Sequence, residues 1–565
     1  MLNRREQQHS DNPWTIPPCN TKNSRPRIPG REPIPQCPRE DLNLHSLNRP
    51  LAPQASASTN SATRTRATGP ALPRRTGQAQ NYSQRSTRNA NQRLLSAPIA
   101  DDNPPQWHNR DMSDLFSMTF EDLVDGPDCP QAEVIDICSR MIQIDSQNFG
   151  PQDARGEIEM CHYVTTLLND IDVDVTIHES EPGRATLVAE WAPNGTDMTR
   201  PALLLHGHSD TVPFEAADWT HPPLSGEIHD DCVWGRGAID MKGFLAMVLS
   251  AIRARQRRGE LPSRPIRFIM FADEEGSGTL GSTWLGANHP EAFDGVTEAI
   301  SEVGGFSLTT PQGKRVYAVQ SAEKGLWWFR MSVTGSAGHG SMRNPDNAVT
   351  HVLDALSRIG SHQWPDLHHP VQEEFLDQVA AMWGLTIDRD DLESSLSPIG
   401  PLSRMVAACC AHTVTPTVLS AGYKVNVVPT RASAEVDARF IPGAEEDMIS
   451  TIKSLAGPGI DFETISLKPA TAAPFNGAAV HAIRQAIDAE DPGAVVLPYL
   501  NSAGTDAKGF AVLPDGRRIN CYGCTPLRLP ADFDFISLFH GVDERVPVES
   551  LVFGAKVVDH ILQEA

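Results

Sequence analysis

Several polar residues of this chain sit where short apolar runs end, and their types are those that hold divalent cations. The run ALLL at 202–205 leads into HGHSDTVP at 206–213. In extended backbone His208 and Asp210, two residues apart, share a face. A carboxylate beside an imidazole is a common means of fixing a ligating histidine, although the pair alone also fits a satisfied surface contact. In GRGAIDMKG at 235–243 the glycines permit a tight turn. Asp240 there precedes an apolar helix and could equally be its N-cap. The stretch FADEEG at 271–276 closes an apolar strand with Asp273, Glu274 and Glu275. Three carboxylates at such a point are costly unless a cation compensates them or the turn is exposed. The run AISEVGG at 299–305 ends in Glu302, and FHGVDE at 539–544 adds His540.

Taken together these residues supply two imidazoles, an aspartate, two glutamates and one spare glutamate, with no thiolate. Two divalent cations bridged by one carboxylate need about that set. Oxygen donors with imidazole suit Zn2+, Co2+ or Mn2+. The spare glutamate beside a ligand could act as general base toward a water activated by the metal.

The elements that must position them follow from apolar spacing. Residues 131–144 and 157–168 carry apolar residues at helical spacing. The runs at 202–205 and 266–271 read as buried strands, and FLAMVLSAI at 244–252 as a helix after a glycine-rich turn. Alternating strands and helices predict an α/β sheet covered by helices, whose sites form beyond the carboxyl ends of the strands. The chain has 565 residues and a net charge of −23, which argues against whole-chain binding to nucleic acid or to an anionic membrane. No apolar run reaches the 18 residues of a membrane span, and MLNRREQQHSDNPW offers no apolar core for a secretory signal, so a cytoplasmic location is expected.

The first 100 residues differ in kind. They hold 15 Lys+Arg against 5 Asp+Glu, and 13 of the 45 prolines. Lacking apolar periodicity, residues 1–111 are expected to be a disordered basic tail, a linker or an upstream extension, with Met112 or Met118 as alternative starts. A nucleic-acid or partner tether is the alternative role for such a tail. The ten cysteines are scattered, and Cys521 and Cys524 form a lone CxxC read as two small thiols rather than a zinc or redox pair. Cys409-Cys410 reads as packing, and the Asn194-Gly195-Thr196 sequon as idle.

The motifs HGHSDTVP, GRGAIDMKG, ADEEGSG at 272–278, ISEVGG at 300–305, GSAGHGSM at 335–342, NVVPTRASAEVDARFIPG at 426–443, SAGTDA at 502–507 and FHGVDERV at 539–546 occur in one order. In this the chain resembles the M20 metallopeptidases over residues 130–565. That family includes carboxypeptidases, aminoacylase, acetylornithine deacetylase and succinyl-diaminopimelate desuccinylase. The resemblance implies a two-domain α/β fold: a catalytic domain of residues 112–326 and 468–565, interrupted by a smaller α+β lid of residues 327–467. Residues 361–421 look like an extra segment of the longer carboxypeptidase-S-like members. The resemblance further implies His208 and Glu302 on one metal, Glu275 and His540 on the other, and Asp240 bridging. Glu298 is the alternative to Glu302, because SEVGG departs from the family's usual forms. Asp210 would orient His208, and Glu274 would be the general base. His339 would reach the partner subunit's active site and stabilise an oxyanion. Asn426 and Arg439 would meet a free carboxylate, with Gly504 and Thr505 lining the pocket. Turn and surface-ion-pair roles remain open for His339 and Arg439. Trp327-Trp328 is expected at the domain junction.

The implied function is a two-metal hydrolase, with Zn2+ the first expectation, cleaving an amide or peptide bond beside a free carboxylate. Its substrates would be small peptides or N-acyl amino acids, and a homodimer through the lid is implied. An N-acyl-amino-acid deacylase is the alternative within the family, and a metal-binding interaction protein the alternative outside enzymes.

Overall fold

The computed structural model describes residues 128–150, 153–400 and 402–565. The basic tail expected over 1–111, with both alternative starts, lies outside the described residues. The elements in chain order are α1 (Val134–Gln143), α2 (Ile158–Asn169), β1 (Val175–Glu181), β2 (Arg184–Trp191), β3 (Ala202–His208), β4 (Ile228–His229), β5 (Cys232–Trp234), α3 (Lys242–Arg258), β6 (Ile266–Phe271), α4 (Ser282–Asn288), β7 (Val296–Ser301), β8 (Ser307–Thr309), β9 (Arg315–Glu323), β10 (Gly325–Thr334), β11 (Gly338–His339) and α5 (Ala348–Gly360). They continue with α6 (Pro370–Trp383), α7 (Leu392–Leu396), α8 (Leu402–Ala407), β12 (Thr413–Ala421), β13 (Val427–Val428), β14 (Arg431–Phe440), α9 (Glu445–Ala456), β15 (Asp461–Lys468), β16 (Thr471–Ala472), α10 (Ala478–Glu490), β17 (Val495–Asn501), α11 (Ala507–Phe510), β18 (Asn520–Gly523), β19 (Arg545–Pro547) and α12 (Val548–Glu564).

The larger sheet is covered by helices, as the alternating pattern predicts, and its strands are mixed in direction. Its order is β1-β2-β6-β3-β7-β18-β9-β16, with β8 and β17 also paired to β9. At its centre β3 runs parallel to both β6 and β7, so the three strands end at the same edge. One face is covered by α1, α2, α3, α10 and α12, whose apolar stripes join the strands in the main core. The other face is covered by Leu285 of α4 and Phe510 of α11, packed on Leu204, Ile269, Phe271 and Ala299. Strands buried on both faces read as continuous apolar runs, which is why ALLL and IRFIMF were legible. Helix α3 begins after Met241 and has no side-chain cap, so Asp240 is not its N-cap. That frees the Asp240 carboxylate for the cluster described below. The helix stops at Gly259, whose φ of 67° is the left-handed turn that glycine adopts without steric cost.

A second, antiparallel sheet of order β12-β14-β10-β15 carries α5 and α9 on one face. Trp327 is buried in that core, its ring 4.0 Å from that of Phe329. Trp328 points to the opposite face and lines the cleft between the sheets. The expected junction pair is therefore split by the two-residue period of β10. The helical segment over 370–407 falls inside the span expected for the lid. Yet Phe375, Leu376, Val379, Trp383, Leu402 and Val406 belong to the main core, with Phe375 beside Tyr499 of β17. This helical insertion joins the larger sheet instead of the smaller one.

Candidate metal centre and active-site cleft

His208 is the last residue of β3, Glu275 follows β6 by four residues, and Glu302 follows β7 by one. Parallel strands ending at one edge bring these three loops together, and Asp240 and His540 enter from the loops before α3 and before β19. His208 Nε2 lies 3.0 Å from Asp240 Oδ1 and 3.4 Å from Glu302 Oε2. His540 Nε2 lies 3.3 Å from Asp240 Oδ2 and 3.0 Å from Glu275 Oε2. Two three-residue donor groups result, His208–Asp240–Glu302 and Asp240–Glu275–His540, with all ligand atoms of each within 4.8 Å of one another. Asp240 belongs to both and gives one oxygen to each. Glu298, the alternative to Glu302, is not part of this cluster: it pairs with Arg264 at 2.9 Å and accepts from the Ala479 N–H.

The surroundings hold these donors in place. His208 Nδ1 is 3.0 Å from the main-chain oxygen of Asp210 and 3.6 Å from its carboxylate. The contact that fixes the imidazole is thus mainly to the backbone of Asp210. The Asp210 carboxylate instead accepts the N–H groups of Glu274 and Glu275 at 3.2 Å each and Asn148 Nδ2 at 2.8 Å. Asp273 takes no part in the cluster, because Arg184 compensates it at 3.0 Å and also pairs with Glu157. Glu544 accepts the N–H groups of Gly237, Ile239 and Asp240, and Arg236 pairs with it. That fixes the backbone carrying Asp240. Val303 and His540 hold left-handed φ angles of 58° and 56° beside the cluster, a strain of the kind stored at functional sites.

The charges act on one another strongly. Burial and the nearby Glu302 push Glu274 well above the usual carboxylate range, and burial raises Glu302 to about 7. His540 is raised to about 10 by its bonds to Asp240 and Glu275. Asp240 is buried, yet its bonds to His208 and His540 keep it low.

The cluster opens into a cleft of about 260 Å³ lined by Glu274, Glu275, Asp506, Lys508 and His540 and by Trp328, Arg439 and Lys468 of the smaller sheet. Gly504 and Thr505 also line it. Arg439 both faces the cleft and is held in a forked pair by Asp437 at 2.7 and 3.0 Å, so the two alternatives coexist. His339 and Asn426 are brought together, since the Gly340 N–H donates to the Asn426 carbonyl across the β11–β13 ladder. Both are exposed, and neither lines the cleft of its own chain. Asp506 and Glu544 were not singled out from the sequence. Asp506 is 3% exposed, and burial pushes its carboxyl well above the usual carboxylate range. Their position within the quoted SAGTDA and FHGVDERV motifs was the available signal. Cys521 and Cys524 are buried free thiols, and burial raises both above their usual range.

Comparison with known proteins agrees with this geometry. "Probable carboxypeptidase S-like 2" of Dictyostelium discoideum is 28% identical over 390 residues, covering 65% of this chain and 71% of that protein. A "Probable succinyl-diaminopimelate desuccinylase" of Staphylococcus aureus is 27% identical, covering 60% and 74%. The N-fatty-acyl-amino acid synthase/hydrolase of Homo sapiens is 27% identical, covering 66% and 75%. The crystal structure of an M20 family metallo-carboxypeptidase from Sulfolobus solfataricus superposes with a TM-score of 0.58 at 19% identity, covering 76% of this chain and 99% of that one. A di-peptidase from Saccharomyces cerevisiae gives a TM-score of 0.56 at 15% identity, covering 76% and 95%. The family model described as peptidase family M20/M25/M40 matches residues 204–564, a span that includes every donor of the cluster, and the chain belongs to that family.

Proposed function

We propose that this enzyme is a two-metal hydrolase of amide or peptide bonds that lie beside a free carboxylate, acting as a carboxypeptidase or dipeptidase. The observation that carries this reading is Asp240, whose two oxygens each face a separate imidazole–carboxylate group. The donor set fits two divalent cations. It is all oxygen and imidazole, suited to Zn2+, Co2+ or Mn2+, and the buried Glu275 Oε1 has no hydrogen-bond partner among the described residues. His208 and Glu302 would hold one cation, Glu275 and His540 the other, and Asp240 both. When bound, the pair would supply Lewis acidity toward the scissile carbonyl and toward an attacking water. We assign Zn2+ as the native metal.

Glu274 would take the proton from that water and return it to the departing nitrogen. Its raised affinity for a proton, caused by burial beside Glu302, suits both halves of that transfer. Arg439, already oriented by Asp437, offers a planar fork for the substrate carboxylate. Asn426 would join it, and Trp328 with Gly504 and Thr505 would wall the cleft. His339 and Asn426 are exposed on one short ladder, which supports their insertion into a partner's cleft within a homodimer. There His339 would stabilise the oxyanion. The outward edge strand β12, with Val418 and Leu419 about half exposed, supports pairing through the smaller sheet. We place that dimerising lid in residues 327–360 and 412–467, with 370–407 belonging to the catalytic body. Among the described residues no helix is long and apolar enough to cross a membrane, and we propose a cytoplasmic location.

Relatives named for desuccinylation and for N-fatty-acyl-amino acid hydrolysis favour deacylation of N-acyl amino acids as the second reading. The test combines metal analysis with turnover of dipeptides and N-acyl amino acids in Zn2+, Co2+ or Mn2+. Two ions per chain and carboxylate-dependent turnover are expected. Glu274→Gln is expected to keep both ions and lose about 10²–10⁴-fold in kcat, the usual share of a general base. Near-wild-type turnover in that variant would remove Glu274 from the mechanism.

A further inference from the structure

The smaller sheet presents a row of side chains to the cleft. Leu326 of β10 is opposite Arg439 of β14 on one side and opposite Lys468 of β15 on the other. Residues directly opposite in antiparallel strands share a face, and all three line the cleft with Glu274 and His540. Two strand spacings set the backbone positions of Arg439 and Lys468 about 10 Å apart along the row. They differ in one respect. Arg439 carries its own counter-charge in Asp437. Lys468 forms no ion pair among the described residues, and its ammonium donates only to the neutral Thr283 hydroxyl at 2.8 Å. Lys508, the third cation of the cleft, is spoken for by Glu323 at 3.3 Å and by the Lys324 carbonyl. Lys468 is thus the one lysine or arginine of the cleft with no carboxylate at ion-pair distance among the described residues; Asp273 and Asp506 act on its charge only from farther away.

We propose that Lys468 reads a second anionic group on the substrate, so that the cleft selects dianionic amides: Arg439 takes the free carboxylate beside the scissile bond and Lys468 a further carboxylate. This rests on the hydrolase reading above and deepens it. A half-buried ammonium beside Leu326 and Trp328 gains most from a partner that arrives with the ligand, since a charge-assisted hydrogen bond is about twice as strong as a neutral one. The second carboxylate could lie on the amine side, as in an N-acyl glutamate, or on the acyl side, as in an N-succinyl derivative of a neutral amino acid.

The test compares N-acetyl-glutamate and N-succinyl-leucine with the monoanion N-acetyl-leucine, in the metal-loaded wild type and in Lys468→Met and Lys468→Arg. The expected result is a loss of about 10- to 100-fold in kcat/KM for one dianion in Lys468→Met. Lys468→Arg should retain most of it, and the monoanion should change less than about threefold. Whichever dianion loses rate identifies the side on which the second carboxylate lies. Equal loss on all three substrates would mean that Lys468 only braces Thr283, and no loss on any would mean that it meets no anion; either overturns the proposal. Calorimetric binding of glutamate and leucine to the same proteins separates this from the hydrolase reading. A wild type that turns over nothing, yet binds glutamate more tightly than leucine and loses that preference in Lys468→Met, keeps the anion site while the hydrolase reading falls. Absence of any preference in both turnover and binding refutes it.

Discussion

Glu544→Gln tests whether the backbone under Asp240 is held by one buried carboxylate. One Glu544 oxygen accepts from Arg236 Nη1 at 2.8 Å and the Gly237 N–H at 3.0 Å, the other from the Ile239 and Asp240 N–H groups at 2.8 and 3.0 Å. Glu544 is 0% exposed and Arg236 3%. Glutamine preserves the shape, but one of its two terminal groups is a donor. Whichever way the amide faces, two of the four donors lose their acceptor, at about 1–3 kcal/mol each. Arg236 also loses its buried counter-charge, and breaking a buried pair on one side costs about 3–5 kcal/mol. The two routes agree on a loss of about 3–5 kcal/mol, read by urea unfolding of the chelated protein. Because the Asp240 N–H is one of the four, affinity for Zn2+ or Co2+ should also fall about 10–100-fold by calorimetric titration. A stability loss under about 1 kcal/mol together with unchanged metal affinity would refute the reasoning.

Two further outcomes follow from groups outside the cluster. His412 is 4% exposed, accepts the Ile441 N–H on Nδ1, and is lowered by burial and then by Lys324 to about 4, against 6.5 ordinarily. A depressed imidazole contributes stability that is complete above pH 6.5 and lost as the pH falls toward 4, here up to ~3 kcal/mol. His412→Asn keeps an acceptor without a titration, so urea midpoints of wild type and variant should converge between pH 6.5 and 4.5; parallel curves would show that His412 does not titrate in this way. Leu419→Lys places a charge on the outward edge strand β12, and light scattering should report a shift from dimer to monomer. An unchanged mass would exclude that edge as the interface.

His208, Glu275 and Glu302 were legible because each follows a short apolar run, and sheets of this kind form their sites at strand ends. Types and order sufficed to single out His208, Asp240, Glu275 and His540 as candidates, with Glu302 and Glu298 as alternatives for the fifth. What was hidden depends on partners far away in sequence. Glu302 could be told from Glu298 only once Arg264 was seen to claim the latter. The compensation of Asp273 by Arg184 spans 89 residues, and no local pattern announces it. Glu544 acts on the backbone amides of Gly237, Ile239 and Asp240, more than 300 positions earlier, and no local pattern announces that contact. Lys468 ends an unexceptional strand, and its significance appears only when register aligns it with Arg439. The segment 361–421, expected within the lid by resemblance to the longer members of the family, carries an apolar stripe over 370–407 that packs on the larger sheet.

That segment changes how the two halves of the molecule are tied. A simple inserted domain is joined at two points, whereas this chain passes between its bodies four times: at Lys324, between Gly360 and Pro370, between Ala407 and Thr413, and between Lys468 and Thr471. The first and third passages are fastened together, since Lys324 donates to the Ala408 carbonyl and to Thr413 Oγ1. A swinging hinge needs only a pair of pliable joints. Here any opening of the cleft would flex four, two of them joined to each other through Lys324.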